Sequence, residues 1–178
     1  GIHKLIQIQS WLIFCYPTMI FDCKDLKMTD FSYQLYSSRK FGPLELTLEM
    51  VAKCGYKQVE AYGGLYEDLP RLEKALAFKN LTMPTGHFDL TMIEKTPKKV
   101  IEIAKRIGMT AVIVPFLSPD DRPKDAKGWE KFADRLSESG KPILDSDLTF
   151  GWHNHDFEFT NLEGGEKPLE IILQSEHG

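Results

Sequence analysis

"TAVIVPF", residues 110–116, carries apolar side chains at both parities. A strand with one wet face alternates apolar and polar residues. This run does not, so it reads as a strand buried on both faces, as in a parallel sheet covered by helices. Its flanks agree. Upstream, Thr96 stands at a helix start with Pro97 in the first position; Val100, Ile103, Ala104 and Ile107 share a face, and Gly108 ends the helix. Downstream, Trp129, Phe132, Ala133 and Leu136 line a further helix expected to end near Gly140.

The same unit recurs on either side. "FSYQLY" (31–36), "QVEAY" (58–62), "MPTGHFDL" (83–90) and "LTFGWHNH" (148–155) read as strands. Between the first two, Leu44, Leu48, Val51 and Ala52 form a helix face that Gly55 stops. After the second, Asp68 and Pro70 open a helix lined by Leu69, Leu72 and Leu76. Leu169, Ile171, Ile172 and Leu173 begin a fifth helix. Tyr33, Val59, Thr85 and Ala111 occupy corresponding strand positions 26 residues apart, the period of a repeating strand–helix unit. Such alternation implies a parallel sheet with right-handed crossovers, either doubly wound or a (β/α)8 barrel. A dinucleotide-binding sheet needs a glycine fingerprint after its first strand, and "YSSRKFGP" (36–43) has none.

In both architectures chemistry collects at the C-terminal ends of strands. Those ends present Tyr36 and Arg39, then Glu60 and Tyr62, then His87 and Asp89. The fourth is followed by Ser118, Asp120, Asp121 and Arg122, and the fifth by His153, Asn154, His155, Asp156 and Glu158. Any one could merely start a loop. A histidine inside an apolar strand end is less easily dismissed, because a buried imidazole needs hydrogen-bond partners.

Composition narrows the function classes. A chain of 178 residues, 42% hydrophobic and 27% charged, describes a globular protein with a sizeable core. A net charge of -4 offers no basic stripe for nucleic acid. Cys15, Cys23 and Cys54 make no C-x-x-C pair, which argues against a disulfide framework and fits a reducing, cytoplasmic setting. Cys54 reads as a small core residue. The apolar run within residues 1–27 is interrupted by Gln7, Gln9 and Pro17 and lacks a signal-cleavage pattern, and it is too short for a membrane span. It reads as an extension outside the fold, upstream of a fresh start at Met28, with a weak secretory signal as the alternative.

"FSYQLYSSRKFGPLELTLEMVAKCGYKQVEAYG", "MPTGHFDL" and "FGWHNHDFEF", in this order and spacing, resemble the sugar phosphate isomerase/epimerase family of xylose isomerase-like TIM barrels. The resemblance runs from about Phe31 to the C-terminus. It implies a partial TIM (β/α)8 barrel of about five βα units over residues 28–178, truncated at the C-terminus, since a whole barrel has eight strands and about 250 residues. It implies a divalent cation (Mn, Mg, Co or Zn) at the barrel mouth and a sugar or sugar phosphate as substrate, with no nucleic acid or membrane partner. Open strand edges leave room for a homo-oligomer. The reaction implied is metal-assisted proton transfer beside a carbonyl, by the complete barrel rather than this chain alone.

On that reading His153 and His155 are metal candidates, Glu60, His87 and Glu158 catalytic ones, and Tyr36, His87, Asn154 and His155 substrate contacts. In an extended strand His153 and His155 would share the inward course, with Trp152 turned into the core; Asp156 reads as a turn cap. Gly86 beside His87 reads as room for a ligand to approach the backbone. Two other readings stay open. One is a zinc hydrolase of the abasic-site endonuclease branch, which shares the barrel; the other is a sugar-binding fragment without catalysis.

Overall fold

Five short strands pair in chain order, every pair parallel: β1 Ser32–Gln34, β2 Gln58–Ala61, β3 Thr82–His87, β4 Ala111–Val114 and β5 Thr149–Trp152. The computed structural model describes residues 31–174. The expectations for residues 1–27, with Cys15 and Cys23, lie outside the described residues. A doubly wound sheet reverses its strand order at a switch point. Here each strand adds to the same side of its predecessor, so the topology is that of a barrel wall. Among the described residues β1 and β5 each have one strand neighbour.

The 26-residue period shows directly in the pairing of Tyr33 with Val59 and of Thr85 with Ala111. Between β2 and β3 it slips. Gln58 pairs with Thr82 but Glu60 pairs with Thr85, so β3 carries one extra residue around Met83 and Pro84. Pro84 has no N–H for the ladder, and prolines in sheets sit at such irregular points. The ladder resumes when Thr110 N–H donates to the Pro84 carbonyl at 2.8 Å.

The helices α1 Leu44–Lys53, α2 Leu69–Lys79, α3 Leu90–Lys95, α4 Pro97–Ile107 and α5 Ala126–Leu144 make the crossovers, and α6 Pro168–Gln174 follows β5. Asp68 caps α2 by accepting from Arg71 N–H, and Asn80, in the left-handed region, closes it. Thr96 starts α4 without a side-chain cap; its hydroxyl donates back to the Met92 carbonyl at the end of α3. All four residues of β4 are buried, as its continuous apolar run requires. The core continues through Leu48, Val51, Val59, Leu72, Val100, Trp129 and Ile143. Outside it, neighbouring helices are tied by three forked Arg–Glu pairs: Arg71 of α2 to Glu45 of α1, Arg106 of α4 to Glu73 of α2, and Arg135 of α5 to Glu94 of α3. No described helix is long and apolar enough to cross a membrane.

Two local expectations are corrected. Cys54 is exposed, because α1 ends at Lys53 and Cys54 forms its C-terminal cap on the solvent side. Helix α5 does not stop near Gly140 but runs on to Leu144, with Pro142 in its last turn. Gly140 is instead a contact point: a Cβ there would lie 2.5 Å from the Phe150 ring on β5.

Gly140→Ala therefore sets two effects against each other. Helix propensity alone favours Ala by roughly 1 kcal/mol, whereas forcing a methyl into a filled contact costs about 1–3 kcal/mol. Overpacking should win, and the variant should unfold at lower urea concentration than the parent. A higher urea midpoint would show that Phe150 yields freely.

Candidate active site

The C-terminal ends of β1, β2 and β3 bring three polar side chains onto one buried carboxylate. Glu60, one residue before the end of β2, is 7% exposed. Its Oε2 accepts from the Thr85 hydroxyl at 2.6 Å, its Oε1 accepts from Gln34 Nε2 at 2.8 Å, and His87 Nε2 lies 3.1 Å from Oε1. The orientation of the Gln34 amide follows from Tyr36. Gln34 Oε1 accepts from the Tyr36 backbone N–H at 2.6 Å, which fixes which end of that amide is nitrogen. The Gln34 nitrogen also stands 3.2 Å from His87 Nδ1 and 3.5 Å from its Nε2, so the imidazole is held between the Gln34 amide and the Glu60 carboxylate.

His153 extends the ladder beyond β5, its backbone N–H donating to the Val114 carbonyl at 3.0 Å. Its ring lies 5.1 Å from His87 and 5.0 Å from His155, centroid to centroid. No described residue hydrogen-bonds to the His153 ring. His155 lies between Phe116 (5.2 Å, edge-on) and Phe157 (5.9 Å, nearly parallel), and its Nδ1 is buried without a hydrogen-bond partner among the described residues.

Electrostatics divide these groups. Burial pushes the Glu60 carboxyl up, but hydrogen bonding and charge from His87, the Thr85 bond and the His153 charge outweigh it, so its pKa falls below 4.5. His153 is held below 6.5, first by burial and then by the neighbouring His87 and His155. Tyr66 donates to the His87 carbonyl at 3.1 Å, and burial together with the Glu60 charge holds its phenol well above 10. Near neutral pH the site thus holds an ionised Glu60 and an uncharged His153.

Other expected residues fall elsewhere. The strand does not persist to Glu158: it ends at Trp152, and residues 157–159 form a 3-10 turn. Glu158 is fully buried, accepting from Trp152 Nε1 at 3.0 Å and from His155 N–H at 2.7 Å. That places it as the group that holds the His153–His155 segment, with both oxygens turned away from the mouth's solvent. Trp152 packs edge-on against Phe132, as its parity implies. Tyr36 is exposed on the rim, against Tyr62 and under the Arg39 guanidinium. Asn154 is half-buried and enters none of these hydrogen bonds; Asp156 is exposed and makes no side-chain cap. Gly86 leaves no room for a ligand: a Cβ there would meet the Tyr66 hydroxyl at 2.5 Å and Met109 at 2.9 Å. Gln34 and Thr85 were missed by the sequence reading. Their one signal was position, a hydrogen-bonding residue at a strand end beside a buried carboxylate.

A divalent cation fits these residues in part. The open His153 ring and the unpartnered His155 Nδ1 are suitable donors. Among the described residues, however, no group of three or more His, Cys, Asp or Glu side chains is placed to hold a metal.

No protein-family model matches the chain, and no curated protein matches it. Solved structures do. A sugar phosphate isomerase/epimerase from Parabacteroides distasonis superposes with a TM-score of 0.67 at 18% identity, over 80% of this chain and 60% of that one. An AP endonuclease of family 2 from Brucella melitensis gives 0.57 at 14%, over 70% and 55%. An IolI protein with a bound zinc gives 0.56 at 17%, over 68% and 50%. Further neighbours are xylose isomerase domain proteins. At these identities the likeness is one of fold: a partial TIM barrel of the xylose isomerase-like kind. The chain spans about 60% of the length of the first of these neighbours.

The two shifted groups act on stability in the same direction. Glu60 stabilises the fold above pH 4.5, and that contribution is lost as pH falls through its lower folded value. Below 6.5 the unfolded chain protonates the histidine at position 153 while the folded chain resists, so stability falls there too. Urea midpoints should therefore decline steadily from about pH 6.5 downward, and His153→Asn should flatten the upper part of that decline. A separate variant, Glu158→Ala, leaves two buried donors without an acceptor and should cost about 2–4 kcal/mol in the same assay.

Proposed function

From a partial xylose isomerase-like barrel with this polar mouth, we propose a sugar isomerase or epimerase site that moves a proton beside a sugar carbonyl. The observation that carries the reading is the buried Gln34–Glu60–His87 cluster facing an uncharged His153 whose ring no described residue hydrogen-bonds. Both nitrogens of His87 are engaged, so His87 and Glu60 serve as an oriented polar wall against which substrate hydroxyls bind. His153 is the reactive group. An unprotonated imidazole can take the proton from the carbon next to a carbonyl, whose electron pair moves toward the carbonyl oxygen to give an enediolate. Returned to the former carbonyl carbon, with the neighbouring hydroxyl proton passing to the other oxygen, the proton completes an isomerisation; returned to its original carbon on the other face, it completes an epimerisation. While His153 is charged, the Glu60 carboxylate favours it across the cluster.

His153 and His155 are also the residues that would hold a divalent cation, which when bound would stabilise negative charge on the substrate oxygens as a Lewis acid. Taking a proton and ligating a cation both need the unprotonated ring that burial maintains. A nuclease reading draws on the AP endonuclease neighbour, but the net charge of -4 works against a phosphate backbone. The proposed substrate is a small sugar or sugar phosphate.

The test is deuterium exchange. Full-length protein in D2O with a panel of ketoses and aldoses, phosphorylated and free, should place deuterium beside the carbonyl of one of them. His153→Asn should slow that exchange by about 100-fold or more. Loss of exchange on chelation, with recovery on adding back a cation, assigns His153 as a ligand; exchange that survives chelation assigns it as the base. Tight sugar binding with no exchange in any case would leave a binding protein and end the isomerase reading.

A further inference from the structure

Five arginines lie among the described residues, and four are accounted for. Arg71, Arg106 and Arg135 fork onto glutamates of the preceding helices, and Arg39 donates to the Tyr36 carbonyl at 2.7 Å. Arg122 differs. It follows β4, is half-buried, and pairs with no carboxylate among the described residues. Its Nε donates to the Leu117 carbonyl at 3.1 Å, and its guanidinium carbon lies 3.5 Å over the Phe157 ring and 5.4 Å from Phe116. Those contacts use one N–H of five and leave both Nη groups without a hydrogen-bond partner among the described residues.

The location makes this informative. Phe116 and Phe157 are the two rings that also bracket His155, which stands 5.0 Å from His153. Arg122 is thus clamped to the same aromatic pair as the histidines of the mouth. Asp120 and Asp121 on its own loop and Asp156 beside Phe157 are all exposed, and none of them is its ion-pair partner. A partly desolvated cation without a counter-charge is costly. A guanidinium held flat by stacking and by its Nε is, in turn, a pre-formed two-pronged donor for the oxygens of a phosphate or carboxylate.

We propose that Arg122 is the specificity-determining residue of the mouth, recognising an anionic group, phosphate or carboxylate, on the substrate. This rests on the mouth being the ligand site but not on the reaction carried out there. A purely structural Arg122, pinning Phe157, would alter stability and leave the preference between charged and neutral ligands unchanged.

The experiment is calorimetric titration of the full-length protein, at fixed ionic strength, with inorganic phosphate, D-fructose 6-phosphate, D-gluconate and D-fructose. Wild type should bind at least one of the charged sugars more tightly than D-fructose; preference for the phosphate or for the carboxylate identifies the anion. Arg122→Gln should weaken binding of that ligand roughly 10- to 100-fold and leave D-fructose unchanged. Arg122→Lys keeps charge without the fork and should restore it only partly, and it serves if the Gln variant folds poorly. Equal binding of charged ligands by wild type and both variants overturns the proposal, as does wild-type binding no tighter for charged than for neutral ligands. Arg122-dependent phosphate binding without any sugar binding would sustain the anion site while removing the sugar reading.

Discussion

A carboxylate buried at the end of β2 has to be met by donors, or the strand ends around it would not hold together. Leaving such a charge unpaired costs several kcal/mol, a large share of a domain's net stability. Glu60 solves this by drawing one donor from β1 and two from β3: Gln34, Thr85 and His87. The register of the wall therefore matters at this point above others. A slip of one residue turns every side chain of a strand to the opposite face. The extra residue of β3 near Pro84 brings Thr85, rather than its neighbour, opposite Glu60. Thr85 and His87, two apart, then reach the same carboxylate. The irregularity of β3 and the chemistry of the mouth are one feature.

A second buried carboxylate does the same work after β5. Glu158 receives the indole N–H of Trp152 and the backbone N–H of His155, so it folds the chain back on itself directly after the strand. The result is a short polar turn fixed from beneath, with Trp152 locked into the core and the two imidazoles left on top. Both glutamates act by holding histidines rather than by facing solvent. They differ in partner type: Glu60 is held by side chains of other strands, Glu158 by groups within six residues of it.

That difference explains what could be read from the sequence. The βα alternation, the doubly buried β4 and the inward face of each helix were legible because burial imposes periods that residue types reveal. The 26-residue spacing even marked true register partners at two of three junctions. The third failed at Pro84, where a missing donor shifts the ladder by one. Elements governed by single contacts were opaque. Gly140 looked like a helix stop but is a close-packing point against Phe150, and Gly86 looked like ligand room but faces the Tyr66 hydroxyl. Glu158 looked like a catalytic carboxylate beside the histidines, yet the strand ends at Trp152 and the side chain is buried beneath them. Gln34 and Thr85 are ordinary residues in the sequence, and only the charge across the sheet makes them part of a site.

In the proposed reading the mouth has two chemically distinct sides, and this constrains how a substrate would lie. The β1–β3 side is a hydrogen-bonding wall around one satisfied anion, suited to hydroxyls. The β4–β5 side is aromatic, with Arg122 stacked on Phe157 and His155 between two phenyl rings. His153 stands between them, its ring 5.1 Å from His87 and 5.0 Å from His155. A sugar bearing a terminal anion would put that anion on Arg122 and its hydroxyls on the Gln34–His87 wall, leaving its reacting carbons over His153. Binding energy collected at both ends would then be available to hold the middle in place. Such positioning of a reactive carbon against an unprotonated ring is worth several kcal/mol in a proton transfer.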